Sequence, residues 1–373
     1  MVVKQQVDVQ FYRLNIGQPD VPTPAPILDA INSWRPDVIA YGPASGLASC
    51  REAAAAYHSR WSPELDASHV AVTQGGSEAL LFAFCALCDS GDEILVPEPY
   101  YTNYNGFATV AGAKIVSVPT HLEDGFNIPD NATLDSYVTE RTKAILFSNP
   151  GNPTGAVYSA AELQRVIDWA VKRGIFIISD EVYRRIWFTE PPVSALEFEH
   201  ARDNVIIVDS LSKTYSACGI RVGFLISRNA HLMEKVERLG QARLGVQPLA
   251  QAAALAALSL PEGYYEEVRH IYKARVDTMI NALGRIDGAS CHQPEGAFYT
   301  MVRLPIDDSD RFARFLITDF RDAGESLVVA PGGGFYSDPA RGIDQIRLAA
   351  VMEPARIERA IDILGKAVAA YTS

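Results

Sequence analysis

The chain has 373 residues, of which 48% are hydrophobic and 21% charged, a composition that supplies the core of a globular protein of roughly two domains. Its 33 basic residues against 45 acidic ones give a net charge of −12, which argues against a nucleic-acid partner and against a polybasic membrane anchor. The start, Met1–Gln10, is polar and carries Asp8, and the Ala-rich stretch Leu249–Leu260 is broken by Gln251 and too short to span a bilayer, so a cytoplasmic protein with no membrane partner is expected.

Pro22, Pro24 and Pro26 mark an irregular N-terminal segment. From about residue 70 short β-branched runs alternate with helical patterns. Strands are expected at Val70–Thr73, Glu93–Val96, Lys114–Val118, Ala144–Ser148, Ile175–Ser179 and Val205–Asp209, and helices at Ser77–Cys88 and Ala160–Arg173. That order implies an α/β domain with a mostly parallel central sheet and helices on both faces. Cys85 and Cys88 form a CxxC, but they fall on a helix pattern with no second pair, so helix-face cysteines and no metal site are expected. Beyond about residue 260 a long helix, Tyr264–Leu283, leads to Gly296–Met301, to strands at Ser326–Ala330 and Gln345–Ala349, and to a last helix from Pro354. This reads as a smaller α+β domain. The expected division is an N-terminal segment 1–37 joining the small domain, a large domain 38–265 and a small C-terminal domain 266–373.

Ligands of parallel sheets gather where strands end at their carboxyl side. Five ends carry a distinctive set: Gln74-Gly75-Gly76-Ser77, Pro97-Glu98-Pro99-Tyr100-Tyr101, Asn149-Pro150-Gly151-Asn152-Pro153-Thr154-Gly155, Asp180-Glu181-Val182-Tyr183, and Ser210-Leu211-Ser212-Lys213. A loop lysine is usually a solvated charge. A positioned, neutral one is a covalent catalyst. Asp180, after a buried apolar run, needs a partner; a helix N-cap and a pyridinium nitrogen both qualify. Gly75-Gly76-Ser77 between strand and helix offers free N–H groups to a phosphate. No Walker A or GxGxxG pattern occurs. Arg221 is either a surface ion-pair member or a second phosphate ligand. The Asn149–Gly155 loop is stiffened by two prolines, which presets Asn152 as a donor. Arg347, inside a strand-like run, suits bidentate capture of a carboxylate.

Together these residues resemble the class I/II aminotransferases of the pyridoxal-phosphate (PLP) fold type I superfamily, and within them the bacterial aspartate-aminotransferase-like group. The likeness runs from Leu14-Asn15-Ile16-Gly17-Gln18-Pro19-Asp20 to beyond Arg347, and includes Glu295–Thr300 and Ala330–Tyr336. It implies a large PLP-binding domain and a PLP-dependent transfer of an amino group from an L-amino acid to a 2-oxo acid, with aspartate and 2-oxoglutarate as the family-weighted pair. Lys213 would hold PLP as a Schiff base and move the substrate proton. Asp180 would pair with the pyridine nitrogen, and Asn152 and Tyr183 with the ring oxygen. Tyr101 would stack on the ring. Gly75, Gly76, Ser77, Ser210, Ser212 and Arg221 would form the phosphate cup. Arg347, with the Gly17 backbone and Asn152, would bind substrate. Tyr41 would reach the phosphate in a neighbouring subunit, which implies a homodimer with shared sites. Only about a dozen residues precede Leu14, fewer than this family usually carries, which bears on substrate preference and closure.

Three other readings compete. A β-lyase or cyclase would keep every cofactor residue and change only the outcome. Ser210-x-x-Lys213 matches the SxxK of serine acyl-enzymes, but the SDN and KTG partners of that chemistry do not occur. A silent PLP-fold sensor predicts loss of the lysine, the acid or the arginine, and all three are present.

Overall fold

The computed structural model describes residues 9–373. The polar start read for a secretory leader therefore lies, up to Asp8, outside the described residues. Among those residues no helix is long and apolar enough to cross a membrane, and no group of three or more His, Cys, Asp or Glu could hold a metal ion.

In chain order the strands are β1 (Gln10–Arg13), β2 (Val70–Thr73), β3 (Glu93–Glu98), β4 (Lys114–Pro119), β5 (Thr142–Ser148), β6 (Phe176–Asp180), β7 (Val205–Ser210), β8 (Gly223–Ile226), β9 (Ser290–Cys291), β10 (Tyr299–Arg303), β11 (Glu325–Val328), β12 (Ala330–Pro331) and β13 (Gln345–Ala349). Seven of them form the main sheet, in the order β2-β8-β7-β6-β5-β3-β4. The pairs β3–β4, β3–β5, β5–β6 and β6–β7 are parallel, and only β8 runs against its neighbours.

Alternation along the strands separates two cores. Ile145, Phe147, Ile177 and Ile207 face one side with the helix Ala160–Lys172, while Leu146, Ile178, Ile206 and Val208 face the other with the helix Gly76–Leu87. Both faces are covered, so the strands are apolar throughout, as parallel strands must be. Ser159 and Glu162 form a capping box that starts the helix Ala160–Lys172.

A third core gathers around the four-stranded sheet β12-β13-β10-β9 and the helices Glu262–Leu283 and Pro354–Thr372. The helix Glu262–Leu283 links the cores: Tyr265 is buried in the first and Val268 in the third. The N-terminal segment divides between them. β1 pairs in parallel with β11, whereas Ile27, in the helix Ala25–Ser33, packs with the main-sheet core.

β8 is a strand the sequence pattern concealed, and it matters for the site. Because it reverses direction, its first residue, Gly223, lies beside Thr73 and Ser210 at the carboxyl end of the parallel strands. Arg221, two residues earlier, is thereby delivered to the same edge.

Candidate active site

A cavity of about 590 Å³ opens at that edge, between the main sheet and the β10–β13 region. Its lining includes Gly17, Gly76, Ser77, Tyr101, Asn152, Asp180, Tyr183, Ser210, Ser212, Lys213, Arg221 and Arg347. Residues as distant in sequence as Gly17 and Arg347 meet there because five parallel-strand ends and β13 converge. Two of the expected site residues stand elsewhere. Gly75 sits just behind the lining, and Tyr41 is 87% exposed on the surface of this chain.

Lys213 follows β7 and points its Nζ into the cavity, 2.8 Å from the Gly17 carbonyl oxygen, to which it donates. Asp180 ends β6 and is 5% exposed. Its Oδ2 accepts from the Tyr104 hydroxyl at 2.8 Å, and its Oδ1 is buried with no hydrogen-bond partner. Burial pushes this carboxyl up to about 6, against the lowering effects of the Tyr104 bond, the Val182 backbone N–H and the Lys213 charge. The helix N-cap reading of Asp180 fails, since the chain after β6 makes a turn over 182–185.

The Gly75–Ser77 step builds a cradle. Gly75 has φ +78°, and a Cβ placed on it would lie 2.3 Å from Arg221 Nη2. Gly75 is the N-cap residue of the helix Gly76–Leu87, so free N–H groups and the positive end of the helix dipole face the cavity. Arg221 itself adopts the left-handed conformation at φ +58°. It donates to the carbonyls of Cys218 and Gln74 and has no carboxylate partner among the described residues, so the ion-pair reading also fails. An arginine in a left-handed conformation is a strained feature of the kind that collects at ligand sites. Ser210 and Ser212 hydrogen-bond to each other at 2.8 Å beside it.

Arg347 projects from β13, 8% exposed, with Tyr299 and Phe335 rings 4.6 and 5.0 Å from its guanidinium carbon. Nη1 donates to Asn152 Oδ1 at 3.1 Å and Nη2 to the Asn15 carbonyl at 2.6 Å, while Nε is buried without a partner. Asn152 thus spends its oxygen on Arg347 and keeps its amide nitrogen for donation. The Tyr183 and Tyr299 hydroxyls are 2.9 Å apart, and Gly17 packs so closely on Tyr299 that a Cβ there would lie 1.7 Å from the phenolic oxygen. Burial pushes the Tyr101 phenol up to about 12 and raises that of Tyr183 well above its ordinary value, so both stay protonated at neutral pH.

Sequence reasoning missed Tyr104, Tyr299 and Phe335. Tyr104 stands in the first turn of the helix Asn103–Ala111, three residues after Tyr101 and with its ring 5.5 Å away, and that short spacing was the available signal for it. Arg13, Arg243 and His292 do not line the cavity; Arg243 is engaged with Glu78 and the Ala44 carbonyl.

Comparison with known proteins settles the family. The model for aminotransferase class I and II matches residues 9–364. The chain belongs to the class I and II aminotransferases. It is therefore a PLP-dependent transaminase of fold type I, acting on amino acids and 2-oxo acids. It is 36% identical to an aspartate aminotransferase of Streptomyces avermitilis over 76% of this chain and 70% of that one. It is 33% identical to a probable aspartate/prephenate aminotransferase of Aquifex aeolicus, over 86% and 82%. Among solved structures, the aspartate aminotransferase of Thermus thermophilus with maleate superposes with a TM-score of 0.89 at 27% identity, covering 97% of this chain and 93% of that one.

The geometry of the cavity fits PLP. The unpartnered Oδ1 of Asp180 could accept from a pyridinium N–H. The cradle that a Cβ at Gly75 would fill, with Arg221 beside it, suits a phosphate. Lys213 supplies the amine, and the free Asn152 nitrogen suits a ring oxygen.

Proposed function

We propose that this transaminase takes L-aspartate as amino donor and 2-oxoglutarate as acceptor, in active sites shared between two copies of the chain. The observation that carries the site assignment is one cavity lined by Lys213, Asp180 and Arg347, in which Asp180 Oδ1 and Arg347 Nε are buried without hydrogen-bond partners. The dicarboxylate preference rests on the names of the relatives and on the maleate in the Thermus thermophilus structure.

When bound, PLP supplies a carbonyl that exchanges with amines and a ring that withdraws electrons from the substrate Cα. The residues of the chain do the rest. Arg347 grips the substrate carboxylate through its planar fork, already oriented by Asn152 and Asn15. Lys213 Nζ would carry the proton from the substrate Cα to the aldehyde carbon of the cofactor; in this chain its one hydrogen bond is to Gly17 O, with the Tyr183 ring 5.8 Å away. Asp180 keeps a proton on the ring nitrogen, a role its burial strengthens because a carboxylate in that place requires a facing cation. Tyr101 would cover the ring, and Gly75, Gly76, Ser77, Ser210, Ser212 and Arg221 would hold the phosphate. Tyr41, exposed here, would serve the phosphate of the partner's site. The division at 1–37, 38–265 and 266–373 is proposed as the working domain boundary, with the helix Glu262–Leu283 as the connecting rod.

Two experiments test this. Borohydride reduction followed by peptide mapping is expected to fix PLP on Lys213 and nowhere else. A screen of amino donors, scored by oxo-acid release in single turnovers, is expected to rank L-aspartate first. Fixation at another lysine overturns the site, and a preferred donor without a side-chain carboxylate overturns the substrate.

A further inference from the structure

Glu98 is the last residue of β3 and is 2% exposed, yet it lies outside the cavity and has no part in the chemistry above. A buried carboxylate is kept only where donors and a counter-charge satisfy it. Here all of them come from one distant segment. Oε2 accepts from the Ser337 backbone N–H at 2.8 Å and from its hydroxyl at 2.9 Å, and Oε1 accepts from Arg341 Nη1. Arg341 also donates to the Thr120 carbonyl, just after β4. A backbone bond from Tyr100 N–H to the Phe335 carbonyl, at 3.0 Å, lies alongside.

The segment so held, Gly332–Gly342, borders the cavity at its start and leads at its end into β13, which carries Arg347. Ala330 and Pro331 precede it and pair with Arg347 and Ile346 of β13. Phe335 within it lines the cavity and stacks on the Arg347 guanidinium. At its far end, Arg341 O accepts from Gln345 Nε2, and Gln345 Oε1 accepts from the Tyr336 hydroxyl, two residues before Arg347. The cofactor side has separate supports: Tyr104 is tied to Asp180, and the Tyr100 hydroxyl donates to Asn105. Loss of the Glu98 contacts therefore loosens the segment bearing Phe335 much more than the Tyr101 side.

We propose that Glu98 is a positioning residue: it latches the Gly332–Gly342 segment to the end of β3 and so fixes Phe335 and Arg347 for the substrate carboxylate. This rests on the reading that Arg347 binds that carboxylate. Glu98→Gln keeps the shape but removes the charge facing Arg341. It is expected to raise KM for the best donor of the screen and for its 2-oxo acid acceptor by about tenfold, with kcat within about threefold and PLP affinity unchanged. Arg341→Met should do the same. Ser337→Ala, at an exposed residue that tolerates truncation, should raise KM by about twofold and reads the latch even where Glu98→Gln fails to fold. Arg347→Lys is the control. If it raises KM and the three latch variants do not, the latch is overturned and the reading of Arg347 stands. If Arg347→Lys leaves KM unchanged, the reading of Arg347 falls and the latch with it. Equal losses in kcat, KM and PLP retention across the latch variants would reduce Glu98 to a structural residue and also overturn the proposal.

Discussion

Tyr104 donates its phenolic hydrogen to one oxygen of Asp180, 2.8 Å away, and leaves the other oxygen of that buried carboxylate without a partner. In the cofactor-free chain Asp180 therefore keeps its proton to about pH 6, whereas the unfolded chain ionises it near 3.8. Between those values the folded state binds more protons than the unfolded one. The stability this residue contributes is present below about pH 4 and is lost as pH rises through 6, a fall of roughly 3 kcal/mol. Denaturant unfolding of the cofactor-free protein at pH 4 and pH 7 should show that fall in the wild type and lack it in Asp180→Asn. Tyr104→Phe, which removes the bond lowering the pKa, should move the wild-type midpoint upward. Parallel pH profiles for wild type and Asp180→Asn would sink the argument. In the loaded enzyme Asp180→Asn should cost about 100-fold or more in kcat, since a buried charged pair loses one partner.

Arg347 has both terminal nitrogens engaged by fixed acceptors and two aromatic rings against it. A lysine there keeps the charge and loses the fork and the stacking. Arg347→Lys is expected to raise KM for amino acid and oxo acid alike by about 10- to 100-fold, the value of a charge-assisted bond or two. Steady-state kinetics with each substrate varied checks it. A change confined to kcat would place Arg347 away from the carboxylate.

Much of this site was legible because parallel strands buried on both faces read as β-branched runs, and the residues at the carboxyl end of each run are chemically conspicuous. Asp180, Asn152 and Lys213 all stand at or just beyond such an end. The features that escaped depended on partners far along the chain. β8 has four residues and leaves no alternation to read, and its antiparallel place between β2 and β7 is a property of the assembled sheet. Tyr104 looks like a core aromatic until its hydroxyl is seen on Asp180, 76 positions away. Glu98 sits between two prolines in an apparently plain turn, and the arginine that explains its burial is 243 positions on.

Gly75 offers a test of the phosphate cradle. Its φ of +78° disfavours any side chain, and a methyl group would press on Arg221. Gly75→Ala should destabilise the fold by about 1–3 kcal/mol. It should also weaken PLP binding, read by fluorescence titration, by about tenfold or more as Arg221 is displaced. Loss of stability with unchanged PLP affinity would mean that the phosphate lies elsewhere.

The exposure of Tyr41, with Val38 and Ile39 at 74% and 76% beside it, leaves an apolar strip on the surface of a chain whose own cavity does not contain that tyrosine. Shared sites would explain both facts, and mixing inactive variants tests it. In Lys213→Ala the amine is missing but Tyr41 is intact; in Tyr41→Ala the reverse holds. Dimers formed by unfolding and refolding the two together contain, in the mixed species, one site with both groups and one with neither. With random pairing half the dimers are mixed, so roughly a quarter of wild-type activity per site should return over a low background from the parent proteins. Sedimentation of the wild type should give a particle of two chains. Activity no higher than the average of the separate variants would place Tyr41 outside the partner's site and leave its exposure without a catalytic reason.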